Sequence, residues 1–181
     1  GFGNVGSIAA LETVEDAQNN IVIAVSDVQV TLYNEEGLDI QKVIQHQRRQ
    51  GLLPNTEEEL QEVGITAEIL SPKEILTLDM DILMLAAAEN QINETNMKEI
   101  KAPLIVEGAN APISQHEDAY LNEHGVFIIP DILANAGGVI VSYLEWKQDR
   151  ITELYSEEQV NEEMRKHMQE KIGRASCRER V

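Results

Sequence analysis

The chain has one cysteine, Cys177, one tryptophan and five prolines, and it carries 14 basic residues against 32 acidic ones in 181. A single cysteine cannot form an internal disulfide, and no cysteine pair is spaced to hold zinc. The net charge of −18 opposes nucleic-acid phosphates and anionic membrane surfaces, so neither is an expected partner. No apolar run approaches the ~20 residues that cross a bilayer, and a soluble cytoplasmic or organellar protein is expected. No repeat or low-complexity linker divides the chain, and its 43% hydrophobic content suffices for one sizeable core. Residues 172–181, IGRASCRERV, match no helical or strand period. They resemble translated read-through of a sequencing adapter, so residues 1–171 are read as the domain and Cys177 carries no role.

What the chain does have begins at once. Gly1-Phe2-Gly3-Asn4-Val5-Gly6 is a G-x-G-x-x-G opening a helix-forming run. In a dinucleotide-binding βαβ unit the first glycine turns out of a strand, the second admits a pyrophosphate and the third lets the helix pack on the sheet. The strand expected before Gly1 is not in this sequence, which therefore reads as a fragment. Glycines also serve turns and packing without a ligand, so the loop alone is weak evidence.

Apolar residues at 5, 8, 9, 11 and 14 make a helical stripe. Ile21 to Val25 is a continuous apolar run of the kind buried on both faces of a parallel sheet. Asp27 ends that strand 21 residues after Gly6, where a carboxylate can accept bonds from the adenosine ribose; a plain turn is the commoner use of such a residue. Residues 28–33 alternate weakly, as a short excursion or a hairpin arm would. Asp39 caps a helix that Gly51 stops, and 56–62 forms a short acidic helix. Residues 67–70 read as a strand, Ser71-Pro72-Lys73-Glu74 as a capping box opening a short helix, and Asn93 as the cap of a helix over 94–100. Strands are expected at 82–85, 104–106 and 126–129, helices at 114–123, 139–147 and 156–171. Alternating strands and helices imply an α/β fold, a Rossmann-like, doubly wound and mainly parallel sheet with helices on both faces.

In such sheets ligands bind beyond the carboxyl ends of the strands. Three of those ends lead to Asn90, Asn110 and Asn135, whose amides can bond a carboxamide and a ribose without placing charge beside a reacting ring. Each alone is more commonly a loop or cap residue. No Lys, Arg or His precedes Lys42, so nothing local pairs with a 2′-phosphate while Asp27 repels one. The expected cofactor is NAD, with NADP as the alternative.

The segments GFGNVG, AVSD, YNEEGLDI, AAENQI, VEGANAP and, at 130–146, PDILANAGGVIVSYLEW resemble the C-terminal cofactor-binding domain of the glutamate/leucine/phenylalanine/valine dehydrogenases. The resemblance runs from Gly1 to about Glu170. It implies oxidative deamination of L-glutamate to 2-oxoglutarate and ammonia, with the sister substrates or a non-catalytic cofactor-binding module as alternatives. It assigns Gly1, Gly3, Asn4, Val5 and Gly6 to the pyrophosphate loop and Asp27 to the ribose. Ala86, Ala87, Asn90, Asn110 and Asn135 would be further cofactor contacts, and Val139 and Ser142 would reach the substrate side chain. It also implies a homo-oligomeric, usually hexameric parent whose catalytic lysine and aspartate lie in an N-terminal domain not present here. The chain departs from the family at Leu85, at Val28-Gln29-Val30 and at Ala111-Pro112-Ile113.

Overall fold

The structure, a computed structural model, describes residues 1–16, 19–151 and 154–178. The chain divides into two compact units, Gly1–Ile128 and Ile129–Val181.

The first unit opens with α1 (Asn4–Asp16) and holds two three-stranded sheets. One sheet is antiparallel throughout, in the order β1 (Ala24–Ser26), β2 (Thr31–Tyr33), β3 (Glu68–Leu70). Residues 27–30 are too few for a crossover, which needs a dozen or more, so β2 returns beside β1 as a hairpin. Between β2 and β3 lie α2 (Ile40–Gln50) and α3 (Glu57–Val63). Asp39 caps α2 through the Lys42 N–H, and Gly51 closes it in the left-handed region at φ 82°. Thr56 caps α3 through the Glu59 N–H. Leu32 and Val43 are fully buried in the core of this half, each such side chain contributing ~1.5–3 kcal/mol.

The second sheet runs β4 (Ile82–Leu85), β5 (Leu104–Glu107), β6 (Phe127–Ile129), with β4 and β5 parallel and in register from Ile82↔Leu104 to Leu85↔Glu107. α4 (Gln115–Glu123) connects β5 to β6. Ile92, Ile105 and Leu121 are fully buried in a separate core around these strands. The expected α/β architecture with a helix-flanked parallel sheet is present here, while the first half of the unit is antiparallel.

Several elements differ from the sequence reading. The run 21–25 enters a ladder only at Ala24, because Val22 and Ile23 spend their carbonyls on the Leu38 and Asn34 N–H groups. The expected helix over 94–100 is one 3₁₀ turn at Met97–Glu99. Asn93 turns its side chain on the Thr95 N–H and hydroxyl instead, and Asn96 braces the turn through the Asn93 N–H and Gln91 carbonyl. The capping box at 71–74 opens a 3₁₀ turn, Glu74–Thr77, in which the Ser71 N–H donates to Glu74 Oε2 at 2.6 Å and the Glu74 N–H to the Ser71 carbonyl at 3.1 Å.

The second unit contains α5 (Asp131–Ala134), α6 (Ala136–Ile151) and α7 (Glu157–Arg178). α6 starts three residues earlier than its apolar spacing indicates, taking in Gly137 and Gly138. Its buried face, Ala136, Ile140 and Leu144, packs with Tyr155, Val160, Met164 and Met168. Ser156 and Gln159 form the reciprocal capping box expected at the start of α7. That helix runs past Lys171 to Arg178.

Candidate dinucleotide-binding site

The glycine loop is clamped between the ends of two strands. The Phe2 N–H donates to the Ser26 carbonyl at 2.6 Å, tying the loop to the last residue of β1, and the Phe2 ring is buried beneath it. A Cβ on Gly6 would lie 2.0 Å from the Gly1 carbonyl oxygen, and one on Gly1 would lie 2.7 Å from Ala87 Cβ. Only glycine lets the start of α1, the loop and the segment after β4 meet so closely. Gly3 is different: a Cβ there meets nothing within 4 Å. Protein packing does not require glycine at that point. Asn4, Val5 and Gly6 form the first turn of α1, whose N–H groups have no acceptor within the helix.

The segments after β4 and β5 are zipped together. Ala109 N–H donates to the Leu85 carbonyl at 2.8 Å, Asn90 N–H to the Ala111 carbonyl at 3.0 Å, and Gln91 N–H to the Pro112 carbonyl at 2.7 Å. An isolated parallel bridge, Ile92↔Ile113, closes the zipper. Asn90 and Ala111 both hold positive φ, 54° and 43°, a strained backbone for a residue with a side chain. Asn90 and Asn110 are exposed. Gly1, Gly6, Ala86 and Ala87 thus form one close-packed cluster, with Asn90 and Asn110 on the two loops that lead away from it. The sequence reading overlooked Gly108, whose Cβ would lie 3.0 Å from Met84 Cε, and Ala111, whose residue type gives no sign of a positive φ.

Asp27 stands at the end of β1, half-buried, with its carboxylate turned onto backbone. Oδ1 accepts from Gln29 N–H at 2.8 Å and Val30 N–H at 3.0 Å, and Oδ2 from Leu53 N–H at 2.7 Å. Of about four acceptor positions on a carboxylate, these bonds occupy three. The turn use of Asp27 is therefore present, with acceptor capacity left for one donor. Beside it Asn55 Nδ2 donates to Gln29 Oε1 at 2.7 Å. Lys42, the first cation of the sequence, is engaged by Asp39 at 3.3 Å and by the Gly64 carbonyl at 3.0 Å.

Three possible metal-binding side chains, Glu94, His116 and Glu117, converge on the N-terminus of α4. The Ser114 hydroxyl bonds the Glu117 carboxylate and holds it below the usual carboxylate range, with His116 adding to the effect. Ser114, His116 and Glu117 thus form a polar cluster at that helix start.

Within the second unit Asn135 closes α5, its N–H donating to the Asp131 carbonyl at 2.9 Å. Val139, 71% exposed, and Ser142, also exposed, lie three residues apart on α6, away from its buried face.

The family model of the glutamate/leucine/phenylalanine/valine dehydrogenases matches residues 1–179. The chain is 40% identical over 168 residues to the glutamate dehydrogenase of Thermotoga maritima, covering 93% of this chain and 38% of that protein. Halobacterium salinarum has two relatives of nearly equal similarity. An NADP-specific glutamate dehydrogenase A1 is 43% identical, covering 91% of this chain and 37% of its own length. An NAD-specific glutamate dehydrogenase A is 41% identical, covering 93% and 36%. Among solved structures, the hetero-hexameric glutamate dehydrogenase of Thermus thermophilus in its Leu-bound form superposes with a TM-score of 0.82 at 31% identity, covering 98% of this chain and 39% of that one. With a family match over nearly its whole length, and spanning less than two-fifths of these relatives, the chain belongs to the glutamate/leucine/phenylalanine/valine dehydrogenase family.

Proposed function

We propose that this chain is the dinucleotide-binding part of a glutamate dehydrogenase that converts L-glutamate to 2-oxoglutarate and ammonia. The observation that carries this reading is the glycine cradle: Gly1 and Gly6 are required by contact, while Gly3 opens onto free space beside the first turn of α1. That is a seat for a pyrophosphate. The first-turn N–H groups of Asn4, Val5 and Gly6 bind it, Asp27 offers its remaining acceptor to a ribose hydroxyl, and Ala86, Ala87, Asn90, Asn110 and Asn135 serve the nicotinamide half. When bound, the nicotinamide would supply the hydride acceptor for oxidation of the amino-acid α-carbon. Val139 supplies an apolar contact and Ser142 a hydroxyl to the substrate side chain. Proton transfer belongs to the remainder of the longer protein, which we propose to be a cytoplasmic homo-hexamer.

NAD is the proposed cofactor. Two relatives of opposite specificity are almost equally similar, so overall identity is no guide, and the end of β1 is what supports this reading. There Asp27 presents a carboxyl group that accepts three backbone N–H bonds, Gln29 and Asn55 offer amides, and Lys42 is held elsewhere. Calorimetric titration of the chain with NADH and NADPH tests this, tighter NADH binding being expected. Steady-state oxidation by the longer protein tests the reaction: glutamate is expected to exceed leucine. The reverse order would move the protein to a sister branch, and no turnover of either would leave a binding module.

A further inference from the structure

Two carboxylates and an imidazole meet beside the zipper, and they come from separate elements. Glu94 lies in the turn just past Ile92, while His116 and Glu117 lie in the first turn of α4, just past Ile113. The Ile92↔Ile113 bridge brings those two stretches together. One ligand atom from each of the three side chains lies within 4.8 Å of the others. Among the described residues no second trio of His, Cys, Asp or Glu does so.

Glu117 sets this place apart from the acidic surface around it. Its side chain is only 5% exposed, and burying a charged carboxylate is costly unless a partner compensates it. The neutral Ser114 hydroxyl bonds Oε2, and His116 Nδ1 stands 3.5 Å from Oε1. That separation is longer than the roughly 2.7–3.2 Å of an N–H···O hydrogen bond. It is the spacing of two donors on one ion: bonds of about 2.0–2.2 Å at tetrahedral angles put neighbouring donors roughly 3.3–3.6 Å apart. Ser114 occupies the N-cap position of α4, yet its side chain makes no cap bond to the backbone. It orients the Glu117 carboxylate instead, as the outer partner of a metal ligand does.

We propose that Glu94, His116 and Glu117 bind a zinc ion, with water at the remaining position. One imidazole with two carboxylates is a donor set for Zn²⁺, whereas Mg²⁺ and Ca²⁺ take oxygen ligands. Glu117 is the fixed ligand, and the exposed Glu94 and His116 side chains close onto the ion. The two carboxylates balance the divalent charge, so the ion adds no net positive charge at the positive end of α4. Bound there, zinc ties the turn at Glu94 to the start of α4 and clasps the zipper beyond its last bridge. Through the zipper it steadies the loops that carry Asn90 and Asn110. This last coupling rests on the proposed cofactor site; the zinc site does not.

Calorimetric titration of the full chain with ZnCl₂, and separately with MgCl₂, tests the site. One zinc per chain is expected, bound about tenfold or more tightly than magnesium. Glu94→Gln and His116→Ala change exposed side chains, so both are expected to keep the parent's circular dichroism. Each is expected to weaken zinc binding about tenfold or more. His167→Ala is the control, because His167 Nε2 lies 3.8 Å from Glu163 Oε2 and forms a rival His–Glu pair on α7; zinc affinity is expected to hold there. X-ray absorption at the zinc edge is expected to show one imidazole among oxygen ligands. Absence of zinc binding, parent-like affinity in Glu94→Gln and His116→Ala, an equal loss in His167→Ala, or a zinc spectrum without imidazole overturns the proposal. NADH titration with and without zinc separates the two readings: zinc binding that leaves NADH affinity unchanged keeps the metal site and removes the coupling.

Discussion

The Leu53 N–H donates to Asp27 Oδ2 at 2.7 Å, joining the end of β1 to the segment after α2 across 26 positions of sequence. With the Gln29 and Val30 N–H groups on Oδ1, one carboxylate ties together the backbone around the proposed ribose contact. Asp27→Ala leaves three N–H groups without that acceptor, two of them on partly buried backbone. We expect a loss of about 2–4 kcal/mol in urea denaturation and a parallel fall in NADH affinity. A variant of wild-type stability that still lost NADH would give Asp27 a ligand role alone.

Gly3 and Gly6 separate packing from ligand approach. Gly6→Ala drives a methyl into the Gly1 carbonyl and is expected to cost about 1–3 kcal/mol of stability as well as cofactor binding. Gly3→Ala touches no protein atom and is expected to keep the melting curve while lowering NADH affinity about tenfold or more. Unchanged NADH affinity in Gly3→Ala would remove the loop from the pyrophosphate.

Ala111 holds φ 43° without the chemistry that favours it. Ala111→Gly relieves that strain and is expected to stabilise the chain by about 0.5–1 kcal/mol even after the entropy that glycine costs. Denaturation midpoints decide it.

Glu117 gives a pH signature. The Ser114 hydroxyl, and secondarily His116, hold its carboxyl below the ordinary range in the folded chain. A depressed folded value contributes stability above the unfolded value, and that contribution is lost as pH falls through the folded one. Ser114→Ala is therefore expected to be less stable than the parent at neutral pH, the gap closing as urea melts are carried to strongly acid pH. A gap constant across that range would place the effect of Ser114 outside Glu117 ionisation.

In the longer enzyme Ser142→Ala is expected to lower kcat/KM for glutamate about ten- to a hundred-fold, the size of one lost hydrogen bond to a charged group. NADH affinity should hold. Unchanged glutamate kinetics would return Ser142 to an exposed helix position.

Features set by neighbours in sequence were readable in advance. Asp39 and Gly51 bound α2, and Ser156 with Gln159 starts α7, because cap and turn chemistry acts over three or four residues. Features set by tertiary partners were not. The length of β1 depends on which groups claim the Val22 and Ile23 carbonyls. The burden on Asp27 depends on Leu53. Asn93 carries a capping residue's chemistry, yet local bonds to Thr95 replaced the helix it would have started. The two loops bearing Asn90 and Asn110 were expected at strand ends, but their backbone zipper and the strain at Ala111 leave no mark on residue type.

The chain's one tryptophan lies on α6, 54% exposed, with the Arg150 guanidinium 5.1 Å from its ring and Tyr143 5.9 Å away. All indole emission therefore originates in the unit Ile129–Val181, and its colour tracks how far that helix surrenders Trp146 to water. Circular dichroism weighs the helices of both units. Recorded on one sample, the two signals form a built-in two-channel thermometer: superimposed curves mean that the units melt as one, and separated curves assign each transition to its own half of the chain.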